Sequence, residues 1–326
     1  MATIDDVAAR AGVSIATVSR VMNNSYVVSQ VKRDRVLEAA RALNYQISRG
    51  QARKAANRTI LIVGSAFIFN VIAGIQFQAS EENCEVLFSF ANRPDGTLDS
   101  IGLINRGQVD GIILLNYLDH ANELPALSRK FPIVHCGGTR RYPDSRIIAI
   151  NNKQAAYEAV MHLAGIGRRR IALLLPEVSA DIPDYILARE AGYKAALAEN
   201  GLDFDPELIY QSDLSPDSLN EMVEHILTLA DRPDGLFCVT DQLGVGALGA
   251  LQAAGISIPG EMALVGFDND EISELCRPGL TTIAQPWHEI GGECVRQLVS
   301  MMQEDSFVGR QIFLAHELIV RGSTVG

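Results

Sequence analysis

The chain has 326 residues, 28 Lys and Arg against 39 Asp and Glu, and a hydrophobic fraction of 48%, enough for two or three folding units with real cores. No stretch approaches the roughly 18 apolar residues of a membrane span, and the start MATIDDV carries no apolar signal-peptide core, so a cytoplasmic protein with no membrane partner is expected. The five cysteines (Cys84, Cys136, Cys238, Cys276, Cys294) stand singly without metal spacing, which argues against a disulfide framework or a zinc site.

The stretch from Thr3 to Asn24 has the pattern of two short helices across a tight turn. Thr3 is placed to cap the first helix, and Ile4, Val7, Ala8 and Ala11 recur on one of its faces. Gly12 supplies the permissive backbone that ends it. Ser14 is placed to cap a second helix with Val18, Val21 and Met22 inward and Ile15, Ala16, Thr17, Ser19 and Arg20 outward. This is the unit that lays its second helix in the DNA major groove, although an ordinary helical hairpin has the same pattern. A third helix, with Ser29 placed to cap it and Val31, Val36, Leu37, Ala40 and Leu43 inward, is expected to close a three-helix core. From Gln46 to Asn57 the apolar periodicity fades, a composition compatible both with a solvated linker and with a hinge helix that orders on DNA.

Charge separates the two ends of the chain. Met1 to Arg58 holds ten Lys and Arg against four Asp and Glu, a net of +6, and the remaining eighteen basic and thirty-five acidic residues carry −17. A basic head on an acidic body is the footprint of a segment that meets phosphates.

Beyond Thr59, apolar runs alternate with amphipathic helices. Strands are predicted at Ile60–Val63, Val86–Ser89, Gly111–Leu115, Ile133–Cys136, Ile147–Ile150, Ile171–Leu175, Leu236–Val239 and Ala263–Phe267. Helices are predicted at Asn70–Asn83, Gln154–Gly165, Tyr185–Asn200, Ser215–Leu229 and Leu243–Ala254. Continuous apolar strands with helical crossovers mean parallel sheets covered on both faces. So many units predict two doubly wound α/β subdomains facing each other across a ligand cleft, preceded by an all-α helix-turn-helix domain.

These motifs resemble the LacI/GalR family of transcription regulators. The head TIDDVAARAGVSIATVSRVMNNSYVVSQVKRDRVLEAARALNY is similar to its DNA-binding headpiece. The likeness continues through GIGRRRI (Gly165–Ile171), REAGY (Arg189–Tyr193), TDQLGVGAL (Thr240–Leu248), VGFDN (Val265–Asn269), LTTIAQP (Leu280–Pro286) and ELIVRGST (Glu317–Thr324). The tail from Leu280 is most like a nucleoside-sensing member. The resemblance implies a headpiece over 1–45, a hinge over 46–58, and an effector-binding and dimerisation body over 59–326 of periplasmic-binding-protein type. Within the body it implies an N-subdomain of about 59–161 and 288–313 and a C-subdomain of about 162–287 and 314–326.

For the DNA interface, the resemblance places Ile15 and Ala16 where family members read bases. Both are apolar and suit a thymine methyl, whereas the guanidinium fork of Arg20 matches guanine. Thr17, Ser19 and Asn23 are expected on phosphates, and Thr3 and Ser14 serve as caps first and phosphate ligands second. In the hinge, Ala55 stands where the family carries an apolar minor-groove wedge, and a methyl is a poor wedge. Weaker DNA kinking is expected, with Arg53 and Lys54 still gripping phosphates; strong operator bending in a gel phasing assay would refute it.

For the effector, Arg189 matches the family's ligand-anchoring arginine, and Asp268 is placed to accept two hydroxyls of a sugar or ribose. Phe237 is placed equally well to stack on a ring or to fill the core, and Asp241 to cap the following helix. Gln285 and Trp287 fall near a crossing between subdomains, Gln285 as an expected effector contact and Trp287 placed equally well as a cleft wall or as interdomain filler. Ser65 and Phe67 are the nearest matches to contacts from a first strand–helix loop about three residues shorter than the family's. Gly137, Gly138 and Asn151 replace positions often polar or acidic there.

The expected function is a homodimeric repressor on a pseudo-palindromic operator, controlled by a sugar-like or nucleoside-like effector and using no cofactor or metal. A solute-binding protein shares the cleft but does not account for the basic head. An enzyme is not expected, since the six histidines form no catalytic constellation and no P-loop, GxSxG or HExxH motif occurs. The segment after Val308 carries no leucine heptads, so no tetramer through a C-terminal bundle is expected.

Overall fold

The computed structural model describes residues 3–22, 28–43, 58–64, 68–90, 107–115, 127–138, 144–177, 182–304 and 306–325. The chain divides into two compact units, Met1–Asn57 and Arg58–Gly326.

The first unit holds α1 (Ile4–Ala11), α2 (Ile15–Met22) and α3 (Gln30–Ala42). Thr3 caps α1 through a reciprocal pair: its hydroxyl accepts from the Asp6 N–H at 3.3 Å, and the Asp6 carboxylate accepts from the Thr3 N–H at 2.8 Å. Gly12 ends α1 at φ +64°, a backbone state that glycine adopts without steric cost. Ser14 caps α2 by accepting from the Thr17 N–H at 3.3 Å. The core is Val7, Ala8, Ala11, Val18, Val21, Val36, Ala39 and Ala40. Two expectations fail in α3. Val31 and Leu37 are exposed, at 64% and 36%, because the helix turns its small residues Ala39 and Ala40 inward beside Val36. Ser29 occupies the cap position, but its hydroxyl makes no capping hydrogen bond.

The second unit contains two six-stranded sheets. The first runs β2 (Cys84–Phe90), β1 (Arg58–Gly64), β3 (Gly111–Leu115), β4 (Ile133–Cys136), β5 (Arg146–Ile150) and β11 (Arg310–Leu314), all parallel. The second runs β7 (Ile209–Ser212), β6 (Ile171–Pro176), β8 (Gly235–Cys238), β9 (Ala263–Asp268), β10 (Thr281–Ala284) and β12 (Glu317–Ile319), parallel except for the antiparallel β10–β12 pair. The first five strands of both sheets follow the doubly wound order 2-1-3-4-5, which opens a ligand crevice beyond the carboxyl ends of the strands. Strands such as Gly111–Leu115 are buried at every position, which explains their unbroken apolar runs.

Helices α4 (Phe69–Glu81) and α10 (Trp287–Met301) pack together on the first sheet's side of the unit. Helices α5 (Asn152–Gly165) and α6 (Asp184–Glu199) pack together on the second, where α7 (Pro216–Thr228), α8 (Asp241–Ala253) and the short α9 (Glu271–Leu275) also lie. Both close pairs depend on glycine. A Cβ at Gly74 would overlap the His288 carbonyl, one at Gly291 the Val71 carbonyl, and one at Gly192 the Lys153 carbonyl.

Because α5 packs against α6, β8, β9, β10 and β12, it belongs to the second subdomain. The subdomain boundary expected at 161/162 therefore moves back to Asn151, just beyond β5. The chain crosses between subdomains there, again at Gln285–Pro286 after β10, and again between β11 and β12. Strands β7, β10, β11 and β12 were not expected. Three of them are only three or four residues long, and β11 is an edge strand buried at none of its positions.

Candidate effector cleft and DNA-reading helix

In the first unit, α2 presents Ile15, 48% exposed, and Ala16, also exposed. Thr17 is half-buried, its hydroxyl 2.9 Å from that of Ser14. The Thr3 hydroxyl donates to Asp6 at 2.8 Å, so it is engaged within the cap. Ser19 and Arg20 lie on α2, but their side chains, like all of Asn23, Arg53, Lys54 and Ala55, fall outside the described residues.

The second unit has a cavity of about 170 Å³, open at its mouth, between the two subdomains. Ile68 and Gly137 line it from the first subdomain. Tyr185, Arg189, Thr240, Gln242, Asp268, Asp270, Gln285 and Trp287 complete the lining. Ser65 and Phe67, expected on the first subdomain's side, lie outside the described residues.

Arg189 organises the floor. It sits on the inward face of α6, only 3% exposed. Nε donates to Asn152 Oδ1 at 2.9 Å, Nη1 to the Val239 carbonyl, and Nη2 to Asp268 Oδ1 at 3.3 Å. The guanidinium lies 3.5 Å from the centroid of the Phe267 ring and 5.0 Å from that of Tyr185, so aromatic faces cover a cation already out of water. Burial lowers its pKa, and the neighbouring Asp268 acts in the opposite sense.

Asp268 ends β9 at φ +111°. Its Oδ1 accepts from Arg189 and from Gln285 Nε2 at 2.7 Å, while its backbone carbonyl accepts from the Trp287 indole at 3.3 Å. Among the described residues both side-chain bonds fall on Oδ1. Burial raises the carboxyl to about 6 despite the opposing pull of Arg189.

One open role is decided and one expected role changes. Phe237 is wholly buried in β8 with its ring centroid 6.5 Å from that of Phe267, and it does not line the cavity; its aromatic bulk fills the sheet core. Asp241 does not cap α8. That position belongs to Thr240, whose hydroxyl accepts from the Leu243 N–H at 3.3 Å. Asp241 is instead fully buried, accepting from the Thr282 hydroxyl at 2.6 Å and the Asp270 N–H at 2.7 Å, and burial raises its pKa to about 7. Tyr185 was not among the expected contacts, although it stands four residues before Arg189 on the same helical face. Nor was Asn152, which only the folded crossover brings to Arg189.

A three-helix unit with an exposed second helix, joined to a two-sheet body with a polar cleft, defines a ligand-responsive DNA-binding protein. The comparisons agree. Residues 3–48 match the model of bacterial regulatory proteins of the lacI family, and residues 160–324 match a periplasmic binding protein-like domain. The chain is 32% identical over 339 residues to the HTH-type transcriptional repressor CytR of Escherichia coli K12, covering 99% of this chain and 96% of that one. It is 30% identical over 332 residues to catabolite control protein A of Priestia megaterium, covering 99% of both. Among solved structures, the lac repressor dimer bound to operator and the anti-inducer ONPF superposes with a TM-score of 0.74 at 26% identity, covering 100% of this chain and 99% of that one. The CelR–cellobiose complex superposes with a TM-score of 0.71 at 28% identity, covering 99% and 100%.

The chain belongs to the LacI family of DNA-binding transcription regulators, which are not enzymes. Among the described residues no cluster of ligating side chains could hold a metal, and no helix is long and apolar enough to cross a membrane.

Proposed function

We propose that the protein is a dimeric transcriptional repressor that binds a pseudo-palindromic operator and responds to a neutral sugar-like or nucleoside-like effector in the cleft. The observation that carries the effector reading is the Asp268 carboxylate, held through Oδ1 by Arg189 and Gln285, so that Oδ2 is left to accept ligand hydroxyls. Arg189 is already paired with Asp268, and Asp270 also lines the cavity, so the described lining offers no uncompensated cation to a phosphate. The rings of Tyr185 and Trp287 offer walls for the flat face of a sugar or base.

The dimer reading draws support from exposed apolar side chains on α4, with Phe69 72% and Phe77 61% accessible, which suit a second copy of the chain. A two-fold dimer would match a two-fold operator. Ile15 and Ala16 would contact thymine methyls, Arg20 guanine, and Thr17, Ser19 and Asn23 phosphates, with Arg53 and Lys54 gripping the backbone beside Ala55.

Two measurements test this function. Operator fragments selected from random DNA should bind with an affinity that falls steeply as salt rises, with a slope of about −0.9 per neutralised phosphate. A thermal-shift panel should show stabilisation by a sugar or nucleoside and none by the phosphorylated counterpart. Absence of specific DNA binding would turn the reading to a solute-binding protein, and stabilisation by the phosphorylated compounds alone would overturn the neutral effector class.

A further inference from the structure

The last residue of β9 and the first of the connection to β10 are consecutive non-glycine residues at positive φ, Asp268 at +111° and Asn269 at +55°. Such backbone is uncommon for non-glycine residues, less so for Asn and Asp, and it persists where surrounding contacts fix it. Side chains from outside the connection hold it here, among them Thr282, whose hydroxyl oxygen accepts from the Asn269 N–H at 3.3 Å. Asp241 receives the Asp270 N–H and the Thr282 hydroxyl. Arg321, just beyond β12, holds the connection at three points: Nη2 donates to Asn269 Oδ1 at 2.8 Å, and Nη1 to Ser273 Oγ at 3.2 Å and to the Leu280 carbonyl at 2.9 Å. Its fork thereby joins the first residue, the middle and the last residue of the connection. Arg321 is itself anchored, its backbone N–H donating to Thr281 Oγ1 at 2.8 Å.

We propose that Arg321 is a positioning residue for the effector site. By holding Asn269 in the left-handed region, it aims the Asp268 carboxylate into the cleft that Arg321 itself does not line. The proposal rests on the reading of Asp268 as an effector contact, but its geometry can be followed without any effector. Trp287, the only tryptophan of the chain, donates from its indole to the Asp268 carbonyl at 3.3 Å, so its fluorescence reports on that backbone.

The test uses the full chain without ligand. Arg321→Met keeps much of the side-chain stem and removes the fork. Its Trp287 emission should move to the red and become more accessible to acrylamide, with the far-ultraviolet circular dichroism retained. Asn269→Gly, which takes positive φ unaided, should return both signals toward the parent when added to Arg321→Met. Ser273→Ala removes a different partner of the same guanidinium and should leave both signals in place. Unchanged fluorescence in a folded Arg321→Met protein, or a change that Asn269→Gly does not reverse, would overturn the proposal and reduce Arg321 to a brace for the carboxyl end. Should Arg321→Met not fold, Asn269→Ala deletes the acceptor while keeping Arg321, and the same red shift is expected; its absence is equally fatal. A failed thermal-shift panel would count against the effector reading alone, because the tryptophan signals need no effector.

Discussion

Arg189 Nη2 lies 3.3 Å from Asp268 Oδ1, and each member of this pair holds one further side chain from a different crossover between the subdomains. Arg189 binds Asn152, just after the first crossover, and Asp268 binds Gln285, in the second. A ligand that met either charge would therefore reach the segments that cross between the subdomains. Such a ligand shifts the equilibrium only to the extent that it binds the open and closed forms unequally.

Arg189→Met would leave Asp268 desolvated without its cation. Breaking one side of a buried pair costs about 3–5 kcal/mol, so urea denaturation should show a loss of that order. The double variant Arg189→Met with Asp268→Asn should recover part of it, because no unpaired charge then remains. Neither variant should be stabilised by the compound that stabilises the parent.

The pH dependence follows from two raised carboxyls. Asp241, near 7, and Asp268, near 6, still hold protons in the folded protein over a range in which the same groups in the unfolded chain, near 3.8, have released theirs. The native state therefore binds more protons between about pH 4 and 7, and the contribution of these groups to stability declines as pH rises through that window. The melting temperature should fall between about pH 4 and 7 from this source. Asp241→Asn should show a shallower fall, measured by scanning calorimetry across the same range.

Gly192→Ala should destabilise the body, since its Cβ would overlap the Lys153 carbonyl where α5 and α6 cross. Overpacking of this kind costs about 1–3 kcal/mol or more, because a backbone atom cannot step aside as a side chain can. Gly249→Ala on α8 is the contrast. That position is exposed with open space around its Cβ, and alanine should add about 0.5–1 kcal/mol through helix propensity. Chemical denaturation of the two variants should move in opposite directions.

Thr3→Ala removes the hydroxyl that accepts from the Asp6 N–H. The loss of a cap costs about 1 kcal/mol. Hydrogen exchange at the Asp6 amide should accelerate while the strands of the body exchange as before.

The two-part plan, the family, and the elements whose residues fill one whole side of a helix or strand are written in the local pattern of residues. Val7, Ala8 and Ala11 share one helical face and form the inner face of α1, and the short unbroken run Gly111–Leu115, set among helical crossovers, is a strand covered on both faces. Arg189 and Asp268 were also legible, because each sits in a motif whose neighbours fix its place. Tertiary structure decided what depends on partners far along the chain. Short strands such as Glu317–Ile319 exist only because another strand is there to pair with them. Phe237 is core and not cleft because Phe267 meets it from the next strand. Asp241 ties Asp270 to Thr282 instead of capping its own helix, since Thr240 already does so. Local pattern records a preference for burial and for backbone conformation, whereas the direction of a polar side chain is set by whichever donor or acceptor the fold brings within reach.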